Sequence, residues 1–174
     1  MNKAVFLDRD GVINKAFVKN GLPFSPPSFS ELKILPGVKE SIRLLSKMNF
    51  VSLIVTNQPD VSRGKIEKKT VIKMNDYLKD EIKLDDIFVC YHDDHDNCKC
   101  RKPKPGLLLD ASKKWNIDLK NSYIVGDRWR DMEAGKSAGC KTIFIDYNYN
   151  EEKPRNPDFI TDSLLHAVHL IEKI

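Results

Sequence analysis

The strongest constraint on this chain is a repeated alternation of short apolar runs with charged, amphipathic stretches. KAVFLD at residues 3–8 is an apolar run that ends in acid, and residues 36–49 carry helical spacing through Val38, Ile42, Leu45 and Met48. VSLIVTN at residues 51–57 repeats the run, and residues 66–83 repeat the periodic stretch through Val71, Met74 and Leu78. The pattern returns as DIFVCYH then GLLLDASKKWN, and as NSYIVGD then a short helix around residues 131–138. KTIFIDY follows, then FIT and a closing amphipathic stretch near residues 164–173. Strands without polar residues in their middles need cover on both faces, and parallel neighbours need crossover helices. Five such alternations therefore predict an α/β fold, a three-layer α/β/α Rossmann-like parallel sheet.

The 174 residues suit one domain spanning 1–174. Hydrophobic residues at 41% and charged residues at 31% exclude a collagen, a disordered tail and a disulfide mini-protein. No window approaches the roughly 18 uninterrupted apolar residues of a membrane span. Asp8 comes too soon for a signal peptide, so a cytoplasmic protein without a membrane partner is expected. The net charge of +4 suits a small anionic substrate, and the lack of a long basic tract argues against nucleic acid. GLPFSPPSF at residues 21–29 reads as an ordered loop or small flap after the first strand.

In such sheets chemistry sits beyond the strand C-termini, which is where the polar residues fall. Asp8 and Asp10 end the first run, two apart, so both can lean to one side of the sheet edge. An ionised carboxylate can attack phosphorus unaided; a second one, crowded by like charge, is expected to have a raised pKa and to donate a proton. Gly11 allows close backbone approach to a phosphate or metal. Thr56, Asn57 and Gln58 offer hydrogen bonds to phosphoryl oxygens, and Arg101, Lys102 and Lys104 precede a helix whose free N–H groups attract anions. Asp127 ends a fourth run; with Asp8 it would offer magnesium hard oxygen ligands, while Asp131 reads by itself as a helix cap. Cys90, Cys98 and Cys100 lie within eleven residues beside His92 and His95, a spacing that suits a metal better than a disulfide.

In their order, D-x-D-G-V, T-N, the basic K-P loop and G-D-x-x-x-D resemble the four motifs of the haloacid dehalogenase-like phosphohydrolase superfamily, over residues 4–146. C-x-H-x5-C-x-C followed by RKPKPGLL resembles its zinc-bearing branch of histidinol phosphatases and heptose bisphosphate phosphatases. The resemblance implies a haloacid dehalogenase-type sheet with a minimal cap and a structural zinc loop. Zinc would be held by Cys90, His92, Cys98 and Cys100, with His95 as the alternative imidazole; four protein ligands leave no open position for water. By the same resemblance Asp8 is the nucleophile and Asp10 the general acid and base. Magnesium is held by Asp8, the Asp10 backbone carbonyl and Asp127. Thr56 and Lys102 stabilise the phosphoryl group, and Asn57, Gln58, Arg101 and Arg128 contact substrate.

The expected reaction is magnesium-dependent hydrolysis of a small sugar phosphate. DGVIN and KPKPGLL favour the heptose bisphosphate enzymes over the histidinol phosphatases, although KAFVKNGLPF and Pro59-Asp60 depart from the heptose pattern. An inactive zinc-stabilised binding domain and a nucleic-acid end phosphatase are the other readings, and a monomer is expected because the cap is small. Trp115 and Trp129 read as packing aromatics, Cys140 as a small buried residue, and His166 and His169 as part of a solvated helix face.

Overall fold

A computed structural model describes Met1–Ile174. Six strands form one parallel sheet: β1 (Lys3–Leu7), β4 (Phe50–Asn57), β5 (Asp86–Cys90), β6 (Tyr123–Gly126), β7 (Lys141–Ile145) and β8 (Phe159–Thr161), in spatial order β5-β4-β1-β6-β7-β8. Five helices alternate with them, α1 (Val38–Lys47), α2 (Lys68–Ile82), α3 (Gly106–Trp115), α4 (Trp129–Ala138) and α5 (Leu164–Glu172). No helix is long and apolar enough to cross a membrane.

Alternation along each strand sorts the side chains into two cores. Val5, Leu7, Ile54, Val125, Ile143 and Ile145 pack under α1, α2 and α5, while Ala4, Phe6, Leu53, Val55, Ile124 and Phe144 pack under α3 and α4. Both sheet faces are thus dry, as the unbroken apolar runs demanded. The helices supply the matching stripes, Val38, Ile42 and Leu45 from α1 and Leu107, Leu108 and Ala111 from α3. Truncating one of these fully buried leucines to alanine costs about 2–5 kcal/mol.

The expected flap is a two-stranded antiparallel hairpin, β2 (Phe17–Lys19) and β3 (Leu22–Phe24). Phe17 and Val18 are half-exposed, and Pro23 is the one buried residue of the two strands. Asn150 N–H donates to the Gly21 carbonyl at its turn, and Ser25 just beyond β3 reaches Asp10. Because all six sheet strands run the same way, the C-terminal ends of β1, β4, β5 and β6 open on one rim beneath this hairpin.

Candidate active site

On that rim, Asp8, Asp127 and Asp131 bring carboxylate oxygens within 4.8 Å of one another, all three side chains buried. Asp8 follows β1, Asp127 follows β6, and Asp131 stands in the first turn of α4, where it also accepts the Arg128 N–H at 3.1 Å. Asp131 therefore caps its helix and joins the acid cluster. Two glycines make the approach possible. A Cβ on Gly126 would come 2.2 Å from the Asp131 Cβ, and one on Gly11 (φ +94°) would come 1.9 Å from Asp127 Oδ2. Gly11 thus makes room for a carboxylate of the site, where the sequence suggested a phosphate or metal.

Lys102 answers part of this charge. Its ammonium, 2% exposed, lies 2.8 Å from Asp8 Oδ1 and 2.5 Å from Asp131 Oδ1, and donates to the Val55 carbonyl at 2.7 Å. Asn57 holds the lysine's backbone by a reciprocal pair, Nδ2 to Lys102 O at 3.0 Å and Lys102 N to Oδ1 at 3.1 Å. Lys104 turns away, to the carbonyls of Asn97 and Cys98.

One ammonium against three buried carboxylates leaves the equivalent of two negative charges uncompensated. Burial lifts the Asp8 carboxyl to about 6; Lys102 opposes the rise, and Asp131 and Asp10 add to it. Burial pushes Asp127 well above the ordinary carboxylate range, with the charges of Asp8 and Asp131 adding to the effect. Neither Asp127 oxygen has a partner in hydrogen-bond geometry, although the Tyr149 hydroxyl faces it and tempers the rise. An orphaned buried carboxylate facing two more is the donor set that a hard divalent cation satisfies, so magnesium fits the residues present.

Asp10 differs from its sequence expectation. Burial would raise its carboxyl, but Arg9, followed by Asn14, Ser25 and Gln58, outweighs burial and brings it below the usual range. The like-charge argument for a raised pKa fails because Arg9, fully buried and held by Asn75 Oδ1 at 3.0 Å, puts Nη2 3.1 Å from both Asp10 oxygens. Asn14 Nδ2 (2.8 Å), Ser25 Oγ (2.7 Å) and Gln58 Nε2 (2.9 Å) complete the shell. The carboxylate is thereby set to receive a proton before it gives one.

A cavity of about 230 Å³ opens over these groups. Asp8, Asp10, Asn57, Arg101, Lys102 and Arg128 line it, with Leu22, Pro23, Phe24 and Ser25 of the hairpin side as the opposite wall. Thr56 and Gln58, both 1% exposed, stand behind the lining and bond to each other at 2.9 Å. Sequence reasoning took Asp131 for a helix cap and missed Ser25, Asn75 and Glu151, the last of which pairs with Arg128. Only Asp131 carried a signal, as the final residue of GDRWRD.

The second cluster lies beyond β5. Cys90, His92, Cys98 and Cys100 gather within 4.8 Å of one another, with sulfur separations from 3.1 Å (Cys90 to Cys100) to 3.7 Å (Cys90 to Cys98) and 3.4 Å from His92 Nδ1 to Cys100 Sγ. A tetrahedron drawn around zinc with sulfur at about 2.3 Å has edges of about 3.8 Å, so the set fits a closed zinc site. His95 is 75% exposed beside Asp96 and outside the group. The loop meets the acid site in two ways. Arg101 N–H donates to Cys98 Sγ at 3.4 Å, one residue before Lys102, and Arg63, which lines the cavity over the acids, forks onto Asp93 at 2.6 and 2.7 Å. Elsewhere Cys140 is buried, Trp115 Nε1 donates to Asp86 at 3.0 Å, and the His166 and His169 side chains are exposed.

Known proteins resemble this chain in sequence and fold. A family model described as Hydrolase_like (HAD-hyrolase-like) matches residues 99–167. The D-glycero-alpha-D-manno-heptose-1,7-bisphosphate 7-phosphatase of Campylobacter jejuni is 37% identical over 164 residues, 90% of this chain and 88% of the relative. The D-glycero-beta-D-manno-heptose-1,7-bisphosphate 7-phosphatase of Escherichia coli is 35% identical, covering 98% and 94%. The crystal structure of D,D-heptose 1,7-bisphosphate phosphatase from B. bronchiseptica, complexed with magnesium and phosphate, superposes with a TM-score of 0.85. It is 27% identical and is matched over 98% of both chains.

Proposed function

This chain belongs to the haloacid dehalogenase-like phosphatases, and from that premise we propose that it removes the 7-phosphate of D-glycero-D-manno-heptose 1,7-bisphosphate. The observation that carries the phosphatase chemistry is the orphaned Asp127 carboxylate beside Asp8, opposite a buried lysine. The sugar is favoured by relatives 35–37% identical over most of the chain that act on it.

Asp8 is the nucleophile. Its Oδ1 is held by Lys102, and attack on phosphorus by the other oxygen forms an aspartyl-phosphate as the sugar oxygen departs. Lys102 offsets charge on the transferring phosphoryl group, and Asn57 keeps the lysine's backbone in place. Asp8 and Asp127 with the Asp10 backbone carbonyl would hold magnesium, whose charge offsets the repulsion between a carboxylate and a phosphate dianion. Asp10 protonates the leaving oxygen after taking up a proton on substrate binding, then receives one from the water that hydrolyses the phospho-enzyme. Gln58, Thr56 and Ser25 keep its carboxylate turned toward the cavity. Arg101 and Arg128 bind the rest of the substrate. Cys90, His92, Cys98 and Cys100 would hold zinc, which would fix the loop bearing Arg101 and Lys102. The protein works as one domain, Met1–Ile174, and as a monomer, because a cap as small as the β2–β3 hairpin leaves the site open enough for one chain to work alone. A reducing cytoplasm suits its thiolate ligands.

The test is phosphate release with magnesium from both anomers of heptose 1,7-bisphosphate, beside histidinol phosphate and an oligonucleotide 3′-phosphate, with Asp8→Asn as control. Heptose bisphosphate should be the preferred substrate and Asp8→Asn should abolish release. Preference for another substrate would overturn the sugar, and full turnover by Asp8→Asn would overturn the nucleophile.

A further inference from the structure

The loop after β7 approaches the active site from its far side. Its Glu151 receives the Arg128 guanidinium as a fork, with Nε 2.9 and 3.1 Å from the two carboxylate oxygens and Nη2 2.5 Å from Oε2. Arg128 lines the cavity that contains Asp8 and Lys102. Glu151 does not; it lines a cavity of about 10 Å³ on the other side of Asp127. The Glu151 side chain is 13% exposed, and the loop is braced by Asn150 N–H on the Gly21 carbonyl and Asn148 N–H on Asp146, each at 2.8 Å.

A guanidinium carries five donors in one plane. Glu151 takes the edge made by Nε and one hydrogen of Nη2, and Nη1 makes no hydrogen bond within the protein. Arg128 also follows Asp127 directly and shares a helix turn with Asp131, so an unrestrained guanidinium has two carboxylates of the acid cluster to turn onto. Both carboxylates act on the arginine's charge already.

We propose that Glu151 is a positioning residue for substrate binding, which aims the free edge of Arg128 at the bound phosphate ester and keeps the guanidinium off Asp127. The assignment rests on the phosphatase reading above. A fork restricts the arginine to one direction as well as strengthening the contact. Glu151 itself touches no substrate, so its effect passes wholly through Arg128.

The experiment measures KM and kcat for heptose bisphosphate, with magnesium, in the wild type, Glu151→Ala, Arg128→Ala and the double variant. Glu151→Ala should raise KM about five- to tenfold with a smaller change in kcat. Arg128→Ala should raise KM at least as much, and adding Glu151→Ala to it should change KM by less than about twofold. Glu151→Gln, which keeps the side chain's shape, should fall between wild type and Glu151→Ala. An unchanged KM in either single variant, or the same increase from Glu151→Ala with and without Arg128, overturns the proposal. Misfolding of the alanine variant would show as a lowered Tm with lost kcat, in which case the Gln variant decides by its KM. Wild-type protein that leaves heptose bisphosphate intact refutes the substrate reading. The same four proteins are then compared by calorimetry for orthophosphate in the presence of magnesium, where non-additive weakening supports the clamp and additive weakening overturns it.

Discussion

The two candidate metal sites of this protein are built in opposite ways. Three of the four carboxylates of the acid site, Asp8, Asp10 and Asp127, follow strands fixed in the sheet, and Asp8 and Asp127 are separated by more than a hundred residues. The thiol site is assembled from eleven consecutive residues, of which only Cys90 belongs to a strand. In the acid site the fold holds the carboxyl groups together whether or not a cation is present, so without one their ionisation is opposed by burial and by each other. In the thiol site the loop is short and lies outside the sheet, tied by surface contacts such as the Arg63 fork on Asp93 and Arg101 on Asp94, so the ion adds to its order. Removing magnesium should therefore stop chemistry without loosening the fold, whereas removing zinc should loosen a loop and weaken chemistry only through Arg101 and Lys102.

The sharpest way to break this contrast is at the acids. Asp8→Asn should lower kcat by roughly a thousandfold or more while zinc content stays at one per chain. In the metal-free protein Asp127→Asn should raise Tm, since it removes a buried unpaired carboxylate facing two others. A lowered Tm would mean that the cluster is not repulsive. Next in size is the thiol site. Cys98→Ser, or zinc chelation with magnesium plentiful, should lower kcat/KM by about tenfold. It should also open the loop between Cys90 and Cys100 to proteolysis while far-UV circular dichroism barely changes. Undiminished turnover would uncouple the two clusters.

Smaller effects sharpen the contrast. Ser25→Ala removes one of the donors on Asp10 and should slow turnover about three- to tenfold. Asp158 serves as a control far from both clusters, its carboxylate accepting from Thr142 N–H at 2.7 Å and Oγ1–H at 2.8 Å between β7 and β8. Burial opposes ionisation there, but the Thr142 donors outweigh it and hold the carboxyl below its usual range. The folded state then binds fewer protons than the unfolded one, so this stabilisation is complete above pH about 4. It is lost as pH falls through the lower folded value. Asp158→Asn should cost less than about 1 kcal/mol, flatten that acid limb in chemical denaturation, and leave magnesium and zinc binding unchanged.

What the sequence disclosed follows the same division. Asp8, Asp127 and the cysteines Cys90, Cys98 and Cys100 were legible because strand ends and short spacings are local features, whereas the spacing alone left His92 and His95 open and only the family resemblance favoured His92. The hairpin was legible only as a flap, because three-residue strands containing Pro23 carry no readable alternation. The sign of the Asp10 shift was hidden because its main cause, Arg9, is oriented by Asn75 from α2, sixty-six residues away. Asp131 was half legible, since a helix cap and a site residue leave the same letter at the same place. Glu151 was not legible at all. The turn after β7 has no fixed length, and nothing in YNYNEE marks which acid reaches Arg128.

The most direct test of the account is isothermal titration of magnesium into the zinc-loaded wild type and Asp127→Asn. The wild type should bind one magnesium ion per chain, and the variant should lose at least about tenfold in affinity with its zinc and fold intact. Equal affinity in the two proteins would show that the buried carboxylates do not meet around a cation, and would contradict the account.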